Sequence, residues 1–280
     1  MDVYALDFES GSNQYGAYAT GSNLQDPAGK KVGVSFWFKA ETVQDQLIAD
    51  IAPVWPNQEG WYLTAFSSGR ISLYAYDDDP NNYWRLESNT GIYSAGSWVH
   101  AVLGFDIDDL ANAVCRINDV DQKSGLITTG SPTGISTSTT NFEVGRRSYA
   151  GGSLYLDGIL DEFAVFKKVP TLAEITEWYA AGVGKEIPLA TSDLLAVYRF
   201  NDGVGAVATD SKNGYNLTLY NSPSWVTGHV PGPAPPPVAE VPGFWPRKSA
   251  PTGYNCFIQQ FIKNRFQGTR AWKLPDGTLW

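Results

Sequence analysis

The sequence predicts an all-β protein, a two-sheet antiparallel sandwich with one short helix and a C-terminal extension. Three observations carry this reading. Apolar residues recur at period two in one run after another. Aromatic residues make up 14% of the chain, with ten Trp, while Gly and Pro supply 28 and 17 residues, a mix that suits short strands joined by tight turns. At 280 residues and 43% hydrophobic content, the chain is long enough to fill a real core.

Val32, Val34, Phe36 and Phe38 share one face of an extended segment whose other face carries Ser35, Trp37 and Lys39, the pattern of a half-buried strand. Ile71, Leu73 and Ala75 repeat the pattern, as do Val99, Ala101, Leu103 and Phe105, and then Phe163 with Val165. Turns rich in Gly, Asn, Asp or Ser bound each run, the spacing of a sandwich. One helix interrupts them. Pro170 precedes it, Thr171 and Glu174 form a capping box, Leu172, Ile175 and Trp178 or Tyr179 form its stripe, and Gly182 supplies the stop. The β pattern returns at 194–200, 216–220 and 224–226, and these strands are expected to rejoin the same sandwich.

Residues 1–230 are thus assigned to one domain. Residues 231–243, beginning PGPAPPPVAEVP, read as an extended polyproline linker, and 244–280 as a basic, aromatic docking tail. In the tail, Phe257, Ile258, Phe261, Ile262 and Phe266 mark one side of a short amphipathic helix, and Phe244, Trp245, Trp272 and Trp280 add to the apolar load. So few residues cannot bury that load unaided, so the tail is expected to dock on the sandwich or on other protein subunits.

Charge sharpens the division. Residues 241–280 carry six basic residues, Arg265 and Arg270 among them, against one acid, so they hold +5 while the rest of the chain holds −14. An acidic body argues against nucleic acid as its partner. No stretch approaches the roughly 20 apolar residues that span a bilayer. The N-terminus shows no secretory pattern, and Cys115 and Cys256 fall in different units and read as free thiols, the expectation for a reducing cytoplasm.

Four segments in order, ALDFESGSNQYG, VGVSFWFKA, GSWVHAVLGFD and EVGRRSYAGGSLYLDGILDEFAVFKKVPTLAEITEWYAAG, resemble laminin G-like jelly rolls of the concanavalin A-like lectin class over residues 3–182. The resemblance implies a jelly-roll sandwich and a structural Ca2+ held near the first strand and the acidic pair, which correspond to Glu9, Asp161 and Glu162. Where relatives have an Asp-rich turn, this chain has Glu9-Ser10-Gly11-Ser12-Asn13, with fewer charged oxygens. Residues 193–230 are similar to a segment that precedes the first strand in many relatives. Here it follows, either as a circular shift within one sandwich or as a truncated second repeat.

Trp55, Trp61, Tyr62, Tyr83 and Trp84 are the candidates for an aromatic sugar platform, although core packing accounts for such residues equally well. Asp77, Asp78, Asp79, Asn81 and Asn82 crowd one loop without the alternate spacing of a dedicated calcium loop, and read as solvated. His100 reads as structural, and His229 lacks a partner at metal-ligand spacing. Asp157, Asp161 and Glu162 do not form the alternating acidic motif of glycosidases sharing the broad fold. The sequence therefore reads first as a non-enzymatic structural or assembly protein. The architecture resembles components that decorate bacterial virus particles, assembled in the host cytoplasm and anchored by the tail on the virion surface. The alternative is a carbohydrate-binding adhesion module, calcium-assisted and extracellular, that recognises cell-surface glycans.

Overall fold

A computed structural model describes residues 3–51, 59–149 and 152–231. In chain order these give β1 (Tyr4–Phe8), β2 (Tyr15–Tyr18), β3 (Lys31–Ala40), β4 (Gln46–Asp50), β5 (Gly60–Ala65), β6 (Ile71–Tyr76), β7 (Tyr83–Ser88), β8 (Trp98–Asp106), β9 (Val114–Ile117), β10 (Val120–Asp121), β11 (Lys123–Thr129), β12 (Phe142–Val144), β13 (Arg146–Tyr149), β14 (Gly152–Tyr155), β15 (Gly158–Phe166), helix α1 (Leu172–Tyr179), β16 (Leu194–Tyr198), β17 (Val207–Ala208), β18 (Leu217–Tyr220) and β19 (Ser224–Thr227).

Two antiparallel sheets face each other. One runs β10-β9-β8-β3-β15-β1-β19 with β16 also paired to β15, and the other runs β11-β7-β6-β5-β4-β12-β2-β18-β17. Among the described residues the hairpin β13–β14 forms a separate two-stranded sheet, Arg147 opposite Leu154. Strands of the 194–227 region enter both sheets: β16 and β19 join the first, β17 and β18 the second. That segment completes one sandwich and does not begin a second repeat.

The alternating residues named from sequence fill the core. Val34, Phe36, Phe38, Leu73, Leu103, Phe163 and Val165 are fully buried between the sheets. Each such side chain stabilises the fold by about 1.5–3 kcal/mol relative to exposure. The expectation of half-buried strands needs correction for both sheets: β4, β5 and β6 of the second are buried at every position, their outward side chains closed over by one another and by Leu154 of the β13–β14 hairpin. The far face of β3 is covered too, with Ser35 and Trp37 buried, because Trp178 of α1 packs on the first sheet beside Phe166, Ala164 and Val197, and Tyr179 and His229 lie over the Trp37 ring. The covering chain comes so close that a Cβ on Gly33 would lie 2.2 Å from the Lys168 carbonyl oxygen. In α1 the capping box is complete, with both the Thr171 side chain and Glu174 engaged. The left-handed turn that ends the helix begins two residues before Gly182, at Ala180 (φ 46°) and Ala181 (φ 55°).

Strand β15 has two neighbours on one side. Its first half pairs with β1, Leu6 opposite Leu160, and its second half with β16, Phe163 opposite Tyr198. Where the neighbour changes, register shifts between Asp161 and Ala164, and Glu162 takes φ 46°. This bulge turns two consecutive carboxylates away from the core.

Candidate functional site

The outer face of the nine-stranded sheet collects the polar and aromatic members of the alternating strands. Trp61, Leu63, Ile71, Leu73, Ala75, Trp84 and Leu86 point into the core, so Tyr62, Tyr74, Tyr76, Tyr83, Arg85 and Glu87 take the other face. Register sets them abreast, with Tyr62 opposite Tyr74 and Tyr74 opposite Arg85. The rings of Tyr62 and Tyr74 stack at 4.4 Å and 13°, and Tyr83 lies 5.1 Å from Tyr76. From the β13–β14 hairpin, the Arg147 guanidinium sits 3.8 Å over the Tyr62 ring and 3.6 Å from an Asp50 oxygen, while Leu154 packs on the tyrosine group. Burial pushes the Tyr62 hydroxyl well above its ordinary pKa, so it stays neutral.

Beside this row lies a shallow recess of about 310 Å³, walled by Phe66, Tyr74, Arg70, Arg85, Glu87 and Asp45. Both arginines converge on one oxygen, with Glu87 Oε1 2.9 Å from an Arg70 terminal nitrogen and 3.1 Å from Arg85 Nε. Arg85 also donates to the Tyr74 hydroxyl at 3.3 Å. Burial disfavours its charge, but the Tyr74 and Glu87 contacts prevail and raise its pKa.

Period two therefore divides the residues named from sequence. Tyr83 stands partly exposed on the outer face, Tyr62 is on that face but buried at 8% exposure under Arg147, Trp61 and Trp84 are core residues at 1% and 4%, and Trp55 lies outside the described residues. Sequence reasoning missed Tyr74, Tyr76, Arg70, Arg85, Glu87 and Arg147. The alternation of ISLYAY and YWRLES held the signal for those on the strands.

The three acids named as cation ligands separate. Asp161 and Glu162 are 1% and 2% exposed under the first sheet's cover. Asp161 Oδ2 accepts from the His229 and Val230 amides at 2.8 and 2.9 Å, and Glu162 Oε1 accepts from the Ile187 amide at 2.6 Å. Burial pushes their pKa values up, to about 7 and about 8. Glu9 instead joins Asp7 and Glu41, with one oxygen from each within 4.8 Å of the others. Burial and then mutual repulsion raise the pKa of Asp7 and of Glu41, and Asp7 Oδ1 is buried with no hydrogen-bond partner. Three crowded carboxylates fit a divalent cation better than the Asp161–Glu162 pair, which offers only two acids and already gives one oxygen of each to backbone amides, although Asp161 Oδ1 and Glu162 Oε2 are without a hydrogen-bond partner just as Asp7 Oδ1 is. The Asp77 loop spends its carboxylates locally, Asp77 on the Asp79 amide and Asp79 on the Asn81 amide. His100 is buried, its Nε2 lies 3.0 Å from Ser35 Oγ, and burial holds its pKa down to about 3, so it is a neutral structural group.

The profile of the Concanavalin A-like lectin/glucanases superfamily, in its laminin G form, matches residues 10–176. The chain belongs to this superfamily. No curated protein matches it in sequence. Among solved structures of this superfamily's fold, a protein of Bacteroides ovatus named as a candidate carbohydrate binder aligns with a TM-score of 0.57 at 14% identity over 81% of this chain. The chain spans 60% of that structure. A pentraxin of Limulus polyphemus (TM-score 0.47, 14% identity, 65% of this chain and 84% of that one) is similar, as is the carbohydrate-binding module of a Ruminococcus gnavus sialidase (TM-score 0.47, 14% identity, 63% and 97%). At such identities the likeness is one of fold. The superfamily match ends before the tail, whose residues Phe244, Trp245, Phe257, Phe261, Arg265, Phe266, Arg270, Trp272 and Trp280 lie outside the described residues.

Proposed function

We propose that this lectin-fold domain is a non-catalytic carbohydrate-binding module whose sugar seat is the recess on the outer face of the nine-stranded sheet. One observation carries the reading: the partly buried ring of Phe66 beside an arginine–carboxylate group, in an open recess of sugar size whose floor is closed by the buried, stacked Tyr74. The Phe66 ring receives the C–H face of a pyranose, and the charged groups exchange hydrogen bonds with its hydroxyls. The test is retention of the full chain on a glycan array, beside Phe66→Ala and, as a control on the same face but outside the recess, Tyr83→Ala. Both residues are only partly buried, so both variants are expected to stay folded, while Phe66→Ala alone loses about tenfold in affinity, roughly the worth of one aromatic contact. Unchanged retention in Phe66→Ala would remove the recess from consideration.

In this proposal Asp7, Glu9 and Glu41 hold a calcium ion that braces the end of β1. Glu41→Gln should raise the melting temperature in chelator, because it relieves like-charge repulsion, and lower it relative to wild type in millimolar calcium. The same sign under both conditions would show that the cluster holds no cation.

A second reading is favoured by the charge asymmetry, +5 in 241–280 against −14 elsewhere. In it, the tail fixes the domain to protein subunits of a larger particle, such as a virion surface. Clustering on a particle would also multiply weak sugar affinity through avidity. If the full chain is a defined oligomer by light scattering and a chain ending at Pro231 is monomeric, self-assembly through the tail gains. Two monomers would point to a foreign subunit or to no assembly role.

A further inference from the structure

We propose that the recess selects a sugar acid, whose carboxylate docks on the guanidinium groups of Arg70 and Arg85; this rests on the carbohydrate-binding reading. The charge count inside the recess comes first. Two guanidinium groups share one carboxylate oxygen, Glu87 Oε1, so one positive charge is left over at the wall. The other acid there, Asp45, stands exposed at the rim and accepts from the Ser67 amide at 2.7 Å. Water screens it far more than it screens the Glu87 pair.

Donor capacity agrees. A guanidinium offers five N–H donors in a planar fork that matches a carboxylate. Arg70 and Arg85 direct only part of theirs to Glu87 and Tyr74, and Arg70 Nε is buried with no hydrogen-bond partner. Ser72, directly opposite Glu87 in register, buries a hydroxyl that also lacks a partner. On the other flank Gly125 of β11 is opposite Glu87, and a Cβ there would meet nothing within 4 Å, so the edge strand leaves open space above the ion pair. Phe66, partly buried, supplies the apolar wall for a sugar ring, with the buried Tyr74 behind it.

The wider surface makes this placement unusual. Outside the tail the chain holds −14, yet of the six arginines among the described residues four (Arg70, Arg85, Arg146 and Arg147) are gathered at the outer face of this one sheet. An acidic polymer repelled elsewhere meets its cationic contacts here, and the recess is where they are least neutralised.

The experiment is affinity electrophoresis and titration of the full chain with three matched pairs: polygalacturonate and polyglucuronate, each beside its carboxyl-reduced form, and sialyllactose beside lactose. At least one acid is expected to bind tenfold or more tighter than its neutral partner, with affinity falling as salt rises. Arg70→Gln and Arg85→Gln should erase the difference. Glu87→Gln, which frees donors on both arginines, should tighten the acid several-fold, a gain that a purely structural ion pair would not give. Equal binding of acid and neutral partners overturns the sugar-acid inference while leaving the carbohydrate reading standing. No binding of any glycan overturns both. Tight acid binding untouched by all three variants overturns the assignment to this recess.

Discussion

Trp61→Ala is expected to cost about 3–5 kcal/mol of stability, read as a large drop in the denaturant midpoint, because it empties a core site without leaving a route for collapse. Trp61 is 1% exposed, its ring lies 5.9 Å from Phe142, and its Nε1 donates to the Leu24 carbonyl at 3.3 Å. The variant therefore leaves a void and also strips a buried acceptor of its donor. Trp84→Ala should behave similarly. A loss of glycan binding in either would report unfolding and say nothing about a sugar platform. Destabilisation below about 1 kcal/mol would mean that β5 does not face the core as described.

The second large effect is on pH. Burial raises Asp161 to about 7 and Glu162 to about 8, against the opposing pull of the backbone amides and, for Glu162, of Arg199. The folded state thus keeps protons that the unfolded chain gives up near pH 4. The stability linked to them is fully present below pH 4 and is lost as pH rises through 7 and 8. His100 works in the opposite direction below pH 6.5, since its depressed pKa makes acid unfavourable to the fold. The clean window is therefore pH 6.5 to about 8.5, where stability should fall on the order of 2 kcal/mol, mostly through Glu162. Urea denaturation across this window is the measurement. Glu162→Gln, which keeps an acceptor for the Ile187 amide, should flatten most of the slope, and an unchanged slope would assign the protons elsewhere.

The inward face of each strand was legible from sequence because period two is a local property. Val34, Phe36 and Phe38 could be paired without knowing what they met. The helix was legible for the same reason, its capping box lying within four residues. The covering of Ser35, Trp37 and Asp161 was not, since it depends on α1, on the chain near Ile187 and on residues 228–230, all distant in sequence. At the site, sequence adjacency misled: Trp61 and Tyr62, or Tyr83 and Trp84, read as pairs but stand on opposite faces. Arg70, Arg85 and Glu87 converge only once β6 and β7 are in register, and the partners of Glu9 come from beside it, Asp7, and from the end of β3, Glu41.

The pairing of β1 with β19 has a mechanical consequence. Tyr4 lies opposite Thr227 and Asp7 opposite Ser224, so the chain enters and leaves the sandwich at the same end of one antiparallel pair. Tension applied across the two ends would pull the strands apart sideways and load their cross-strand hydrogen bonds one after another instead of all at once. A domain tethered at one end only is spared that load. If it is strung between two anchors, β19 should peel away first, carrying with it the His229 and Val230 amides that hold Asp161.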